Sequence, residues 1–129
     1  MKCLDSDFLI AILRGDIEAK TTGIRIDQEG KTATTVINAF DILFGAKKSK
    51  NLENLKEANR LLARLEILTF DFRVSEQASD IMLNLEERGE MIDLKDIFVA
   101  AMARVNGYSI ITRNTKHFSK IEELEIEKW

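Results

Sequence analysis

The sequence predicts a three-layer α/β/α sandwich built on a mostly parallel central sheet. Two observations carry this: short, apolar, β-favouring runs recur along the chain, and longer stretches of helical periodicity separate each from the next. No Pro/Gly/Ser linker, low-complexity tract or fixed repeat divides the 129 residues. With 45% hydrophobic content, residues 1–129 are expected to form one domain around a continuous core.

Taken in order, Met1 to Leu4 reads as a buried strand, and Phe8, Leu9, Ile10, Ile12 and Leu13 give Asp7 to Arg14 a helical apolar face that Gly15 stops. Asp16 to about Gly30 is a second helix and Thr32 to Thr35 a second strand. A strongly apolar helix follows over Val36 to Lys48, with Thr34 or Thr35 as its N-cap and Phe40 to Phe44 assigned to the core. Leu52 to Leu65 is amphipathic, Glu66 to Phe70 is a strand ended by Asp71, and Ser75 to Arg88 is a helix with Gly89 past its end. Asp93 to Val105 is a helix stopped by Asn106-Gly107, and Tyr108 to Thr112 and Leu124 to Trp129 complete the strands.

Bulk properties exclude several classes of function. The formal net charge of -3 argues against nucleic-acid binding through a broad basic surface alone. It is compatible with nucleic acid if part of the acidic excess takes up divalent cations. One cysteine, Cys3, cannot form an internal disulfide, and with the single histidine, His117, it cannot supply a structural zinc site. No run is long and apolar enough to span a bilayer and no signal-peptide apolar region opens the chain, so a cytoplasmic protein without membrane contact is expected. There is no glycine-rich phosphate loop, and one histidine leaves little for a Ser–His triad.

Ligands of open α/β sheets bind beyond the carboxyl ends of the strands. There the sequence offers Asp5, Ser6 and Asp7 after the first strand, Asp71 after the third, and Arg113, Asn114 and Thr115 after the fourth. Three carboxylates stand beside or inside the most apolar stretches. Asp41 interrupts Val36 to Ala46, where Asn38 is the only other polar residue and shares its helix face at i and i+3. A buried carboxylate there needs a compensating cation, either a metal or an arginine such as Arg113. Asp5 sits at a strand end, where it could ligate or, like Ser6 or Asp7, cap the next helix. Asp96 precedes Ile97 to Ala103 and either favours the helix dipole as a third helical residue behind an Asp93 N-cap or faces the crevice as a ligand. Convergent carboxylates favour Mg²⁺ or Mn²⁺, which activate water against a phosphodiester without a Ser, Cys or His nucleophile.

These residues resemble the PIN domains, and among them the VapC-like toxins of toxin–antitoxin pairs. Cys3-Leu-Asp5-Ser-Asp7-Phe-Leu-Ile10 resembles that family's opening strand and acid, and Thr35 to Ala46 its second motif, with Asp41 where the family usually carries Glu. Gly89 to Ala101, containing Asp96, resembles the third motif, and Ile110 to Phe118 the fourth. Many relatives place a further acid in that fourth motif, whereas this chain has Asn114 and His117. The resemblance implies an endoribonuclease acting on cellular RNA, with Asp5, Asp41 and Asp96 as metal ligands for Mg²⁺ or Mn²⁺. Asn114 would complete the catalytic set, Ser6, Thr112 and Arg113 would meet substrate, and His117 is read as a satisfied surface histidine. A VapB-like antitoxin, held in the crevice or a neighbouring apolar groove, and a homodimer are implied as partners. Two other readings compete. A phosphoacceptor receiver-like domain would use Asp5, Asp7, Asp71, Thr112 and Lys116, and a catalytically degenerate PIN-like module would only bind partners.

Overall fold

A computed structural model describes residues 1–129. The strands are β1 (Lys2–Leu4), β2 (Thr32–Thr35), β3 (Glu66–Leu68), β4 (Ser109–Thr112) and β5 (Ile126–Lys128). They lie in the order β3-β2-β1-β4-β5, and every neighbouring pair is parallel. The helices are α1 (Ser6–Leu13), α2 (Ile17–Glu29), α3 (Val36–Lys48), α4 (Leu52–Ala63), α5 (Phe72–Glu87), α6 (Leu94–Val105) and the single-turn α7 (Thr115–Phe118).

Parallel strands must be joined by crossovers, so helices cover both faces of the sheet and produce the three layers. Alternation along each strand then feeds two cores. Cys3 and Ile110 enter the core shared with α5 and α6, while Leu4 and Ile111, one residue on, enter the core shared with α1, α2, α3 and α4. In the second core fully buried Phe8 meets Trp129 edge to face, with ring centroids 5.2 Å apart. No helix is long and apolar enough to cross a membrane.

Three local differences from the expected elements have physical causes. The third strand stops at Leu68 and α5 starts at Phe72, because the Asp71 side chain caps that helix by accepting from the Val74 N–H at 3.1 Å. The turn α7, with no expectation behind it, follows β4 directly and buries Phe118. Phe40 and Phe44, assigned to the core from the apolarity of α3, are 59% and 58% exposed and stack on each other at 5.9 Å. The helix is apolar on more than the stripe its neighbours cover, so periodicity alone could not choose the buried side.

The strand order fixes where a ligand can enter. The chain runs outward from β1 through β2 to β3, then returns to place β4 on the other side of β1. Helices leaving β1 and β4 diverge at that reversal and open a crevice beyond the strand ends. Asp5 and Arg113 are the first residues past those two strands.

Replacing Phe8 by Ala should lower the unfolding free energy by about 3–5 kcal/mol, since a fully buried ring and its contact with Trp129 are lost. Urea denaturation followed by Trp129 fluorescence measures the change.

Candidate metal centre

Asp5 leaves β1 in extended backbone and is the N-cap of α1, its Oδ1 accepting from the Ser6 N–H at 2.9 Å. The helix start therefore holds the carboxylate at the crevice, and capping and ligation need not exclude each other. The same Oδ1 accepts from Asn38 Nδ2 at 3.0 Å, and Oδ2 accepts from the Thr112 hydroxyl at 2.7 Å. Asn38 is itself fixed by a capping box at the start of α3, where Thr35 accepts from the Asn38 N–H and donates its hydroxyl to Asn38 Oδ1.

From this anchor the network runs to the other two acids. Asn38 Nδ2 also donates to Ser6 Oγ at 2.9 Å, and that hydroxyl donates to Asp41 Oδ2 at 3.1 Å. Asp41 Oδ1 accepts from Lys95 Nζ at 3.0 Å, across from α6. On the β4 side the Asn114 N–H donates to Thr112 Oγ1 at 2.9 Å, and Asn114 Nδ2 donates to Asp96 Oδ2 at 3.1 Å. His117 Nδ1 lies 2.7 Å from that same oxygen, which favours the tautomer with its proton on Nδ1. Asp5, Asp41 and Asp96, 91 residues apart at the extremes, thus belong to one hydrogen-bonded assembly with Ser6, Thr112 and Asn114.

Several sequence expectations are corrected here. Asp41 is not deeply buried: it rims the crevice, its side chain 27% exposed, and its cation is Lys95 rather than Arg113. The Arg113 guanidinium lies over the Trp129 ring, 3.5 Å from its centroid, and bonds the Trp129 main-chain oxygen and Glu18, away from the carboxylates. His117, read as a satisfied surface histidine, is part-exposed and finds its partner in Asp96, which brings it to the edge of the network. Asp71 serves its own helix and Arg73, so the receiver-like cluster does not assemble. Asn38 and Asp7, noted in the sequence without being assigned to the metal-binding set, are both tied to this network. Asn38 was visible as the second polar residue of an apolar run. Asp7 ties the loop after β4 by accepting from the Arg113 N–H at 2.8 Å and from Trp129 Nε1 at 3.2 Å.

The electrostatics are strained by design of the fold rather than by any single contact. Burial pushes the Asp5 carboxyl up to about 6, and the nearby charges of Asp7 and Asp96 add to that rise. The Thr112 and Ser6 hydrogen bonds oppose it without cancelling it. No three carboxylate, imidazole or thiol groups are drawn together as a closed ligand set. Each acid is instead turned to its own donors, Asp5 to Asn38 and Thr112, Asp41 to Ser6 and Lys95, and Asp96 to Asn114 and His117. The donor set fits a hard divalent ion: it is oxygen-rich and negative, and Asp5 carries a burial cost that a cation would relieve. Asp5, Asp41 and Asp96 are the residues that would hold it.

The raised Asp5 carboxyl has a pH signature. The folded state binds the extra proton between the ordinary carboxylate value, 3.8, and about 6, so stability falls as pH rises through that window. In metal-free protein, Asp5→Asn should therefore be more stable than the parent at pH 7.5 by about 1–3 kcal/mol and gain nothing at pH 3.5. Thermal melts at both pH values in EDTA measure this, and an equal or larger gain at pH 3.5 would refute it.

Comparison with known proteins places the fold. The PIN-domain family model matches residues 2–124. The tRNA(fMet)-specific endonuclease VapC of Shigella flexneri is 25% identical over 127 residues, covering 98% of this chain and 96% of its own. Ribonuclease VapC2 of Haemophilus influenzae is 30% identical over 101 residues, covering 78% and 76%. Among solved structures, VapBC2 from Rickettsia felis bound to a promoter DNA fragment superposes with a TM-score of 0.91 at 22% identity, covering 99% of this chain and 98% of the other. DNA-bound VapBC from Salmonella typhimurium gives 0.89 at 23% identity, covering 99% and 97%. The fold, the order of the acid-bearing segments and these matches lead to one assignment: the chain belongs to the PIN-domain family, as a VapC-like ribonuclease.

Proposed function

We propose that this chain is a Mg²⁺- or Mn²⁺-dependent endoribonuclease that hydrolyses phosphodiester bonds of cellular RNA as the toxin of a toxin–antitoxin pair. The observation that carries the reading is the single network joining Asp5, Asp41 and Asp96 at the reversal of strand order. The names of its relatives, a tRNA(fMet)-specific endonuclease and several VapC ribonucleases, support the same chemistry.

When bound, the divalent ion supplies a water of lowered pKa and positive charge beside the scissile phosphate. The protein's own part is positional. Thr112 and Asn38 hold the two oxygens of Asp5 in fixed directions, so the carboxylate has no freedom to lose on ligation. Ser6 orients Asp41, and Asn114 together with His117 orients Asp96. Each supporting group donates a hydrogen bond to a carboxylate oxygen and thereby fixes the direction in which that acid faces the crevice. Arg113, held over Trp129 and paired with Glu18, lies away from the carboxylates, and its Nη1 group is the one without a partner inside the protein. Such chemistry on cellular RNA belongs in the cytoplasm.

Two apolar surfaces support the partners. A groove lined by Phe8, Ile12, Ile24, Leu61 and Leu65, with Lys20 and Arg64 at its edges, is the surface we assign to an apolar segment of a VapB-like antitoxin. The solved relatives from Rickettsia felis and Salmonella typhimurium are VapBC complexes. The exposed stack of Phe40 and Phe44 on α3 is assigned to a homodimer contact, because large aromatic surface of this kind on a small protein marks association.

Expression of the wild type should arrest growth and create new RNA 5′ ends, and Asp5→Asn and Asp96→Asn should each lower cleavage by at least about a hundredfold while remaining folded. Equal cleavage by all three proteins would overturn the mechanism. Mn²⁺ binding without cleavage by the wild type would establish the degenerate binding module instead. Light scattering on the free toxin should give twice the monomer mass, falling to the monomer mass in Phe44→Glu, where a buried charge opposes the contact.

A further inference from the structure

Among Asp5, Asp7, Asp41 and Asp96, only Asp41 is met by a lysine or arginine side chain. Both of its oxygens are already engaged, Oδ1 by Lys95 Nζ at 3.0 Å and Oδ2 by Ser6 Oγ at 3.1 Å. The two donors differ in freedom. Ser6 is fixed by Asn38, which is buried and held in turn by Thr35. Lys95 extends from the first turn of α6 on a flexible stem, its side chain 53% exposed, with water available once it lets go. Its ammonium is also within the fields of Asp93 and Asp96, so it sits among the charges a divalent ion would seek.

A metal needs an ionised carboxylate oxygen that no other cation has claimed. For Asp41 to ligate, the Lys95 contact is therefore the one to yield, and an ammonium remaining nearby would repel the incoming ion. Resting on the assignment of Asp5, Asp41 and Asp96 as ligands, we propose that Lys95 is a positioning residue whose ammonium competes with the divalent ion for Asp41. It holds that carboxylate in place while the site is empty of metal and raises the metal concentration at which the site loads. The effect is graded: a half-exposed ion pair of this kind contributes a factor of about two to five, weakened by salt.

Isothermal titration of metal-free, full-length protein with MnCl₂ tests this without reference to cleavage. Lys95→Met keeps the length of the stem and removes the charge, and should bind Mn²⁺ about two- to fivefold more tightly than wild type at low salt, the gap narrowing at high salt. Lys95→Arg retains the cation and should stay close to wild type. In an Asp41→Asn background the Met substitution should gain much less, because the contested charge is gone. Unchanged or weaker binding by Lys95→Met, while Asp5→Asn and Asp41→Asn still weaken binding, would overturn the role of Lys95 and leave the ligand assignment standing. Binding unaffected by Asp5→Asn and Asp41→Asn would overturn the ligand assignment, and the competition with it.

Discussion

A carboxylate withdrawn from water must be met by donors or by a cation, and much of the polar architecture of this molecule answers that requirement at Asp5. Its partners come from β4, from the start of α3 and from its own helix, so a single buried charge dictates how three elements approach one another. Thr35 and Asn38 would otherwise be an ordinary capping box. Here the box also presents an amide to a neighbouring strand end, which ties the register of α3 to the position of the acid. No buried side-chain nitrogen or oxygen lacks a partner, so the polarity of the crevice is fully accommodated inside an otherwise apolar sandwich.

The parallel sheet supplies the setting. With β1 between β2 and β4, the residues after three adjacent strands face the same side of the molecule, and two cores on opposite faces hold those strands rigid. Rigid placement matters because like charges would move apart on a softer support. The carboxyl of Asp5 is raised first by its burial and then by the charges of Asp7 and Asp96.

Much of this was legible in the chain before folding. Asp5 and Asp96 could be placed because strand ends and helix starts leave clear marks, and those marks also fix which end of the sheet they occupy. Asp41 was found as an interruption of an apolar helix, yet its depth was misjudged. On α3 nearly every position is apolar, so the pattern does not distinguish the side facing the core from the side carrying Phe40 and Phe44. The role of Lys95 and the partner of His117 were hidden for a different reason. Their importance lies in where a long stem or a one-turn helix points, and that direction is set by tertiary contacts with Asp41 and Asp96, 54 and 21 residues away. Arg113 shows the converse: it follows β4 as an anion-binding residue should, but the Trp129 ring and Glu18 claim its guanidinium.

The acids and their supports are distributed from residue 5 to residue 117, and the last strand, β5, is needed beside β4. Nothing local to the first half of the sequence can reproduce the crevice, because Asp96, Thr112, Asn114 and His117 have yet to be synthesised when Asp5 and Asp41 leave the ribosome. During translation the nascent polypeptide therefore lacks the assembled centre, which can form only once residues up to His117 have emerged. The order in which the residues emerge thus makes assembly of the crevice one of the last events in the folding of this chain.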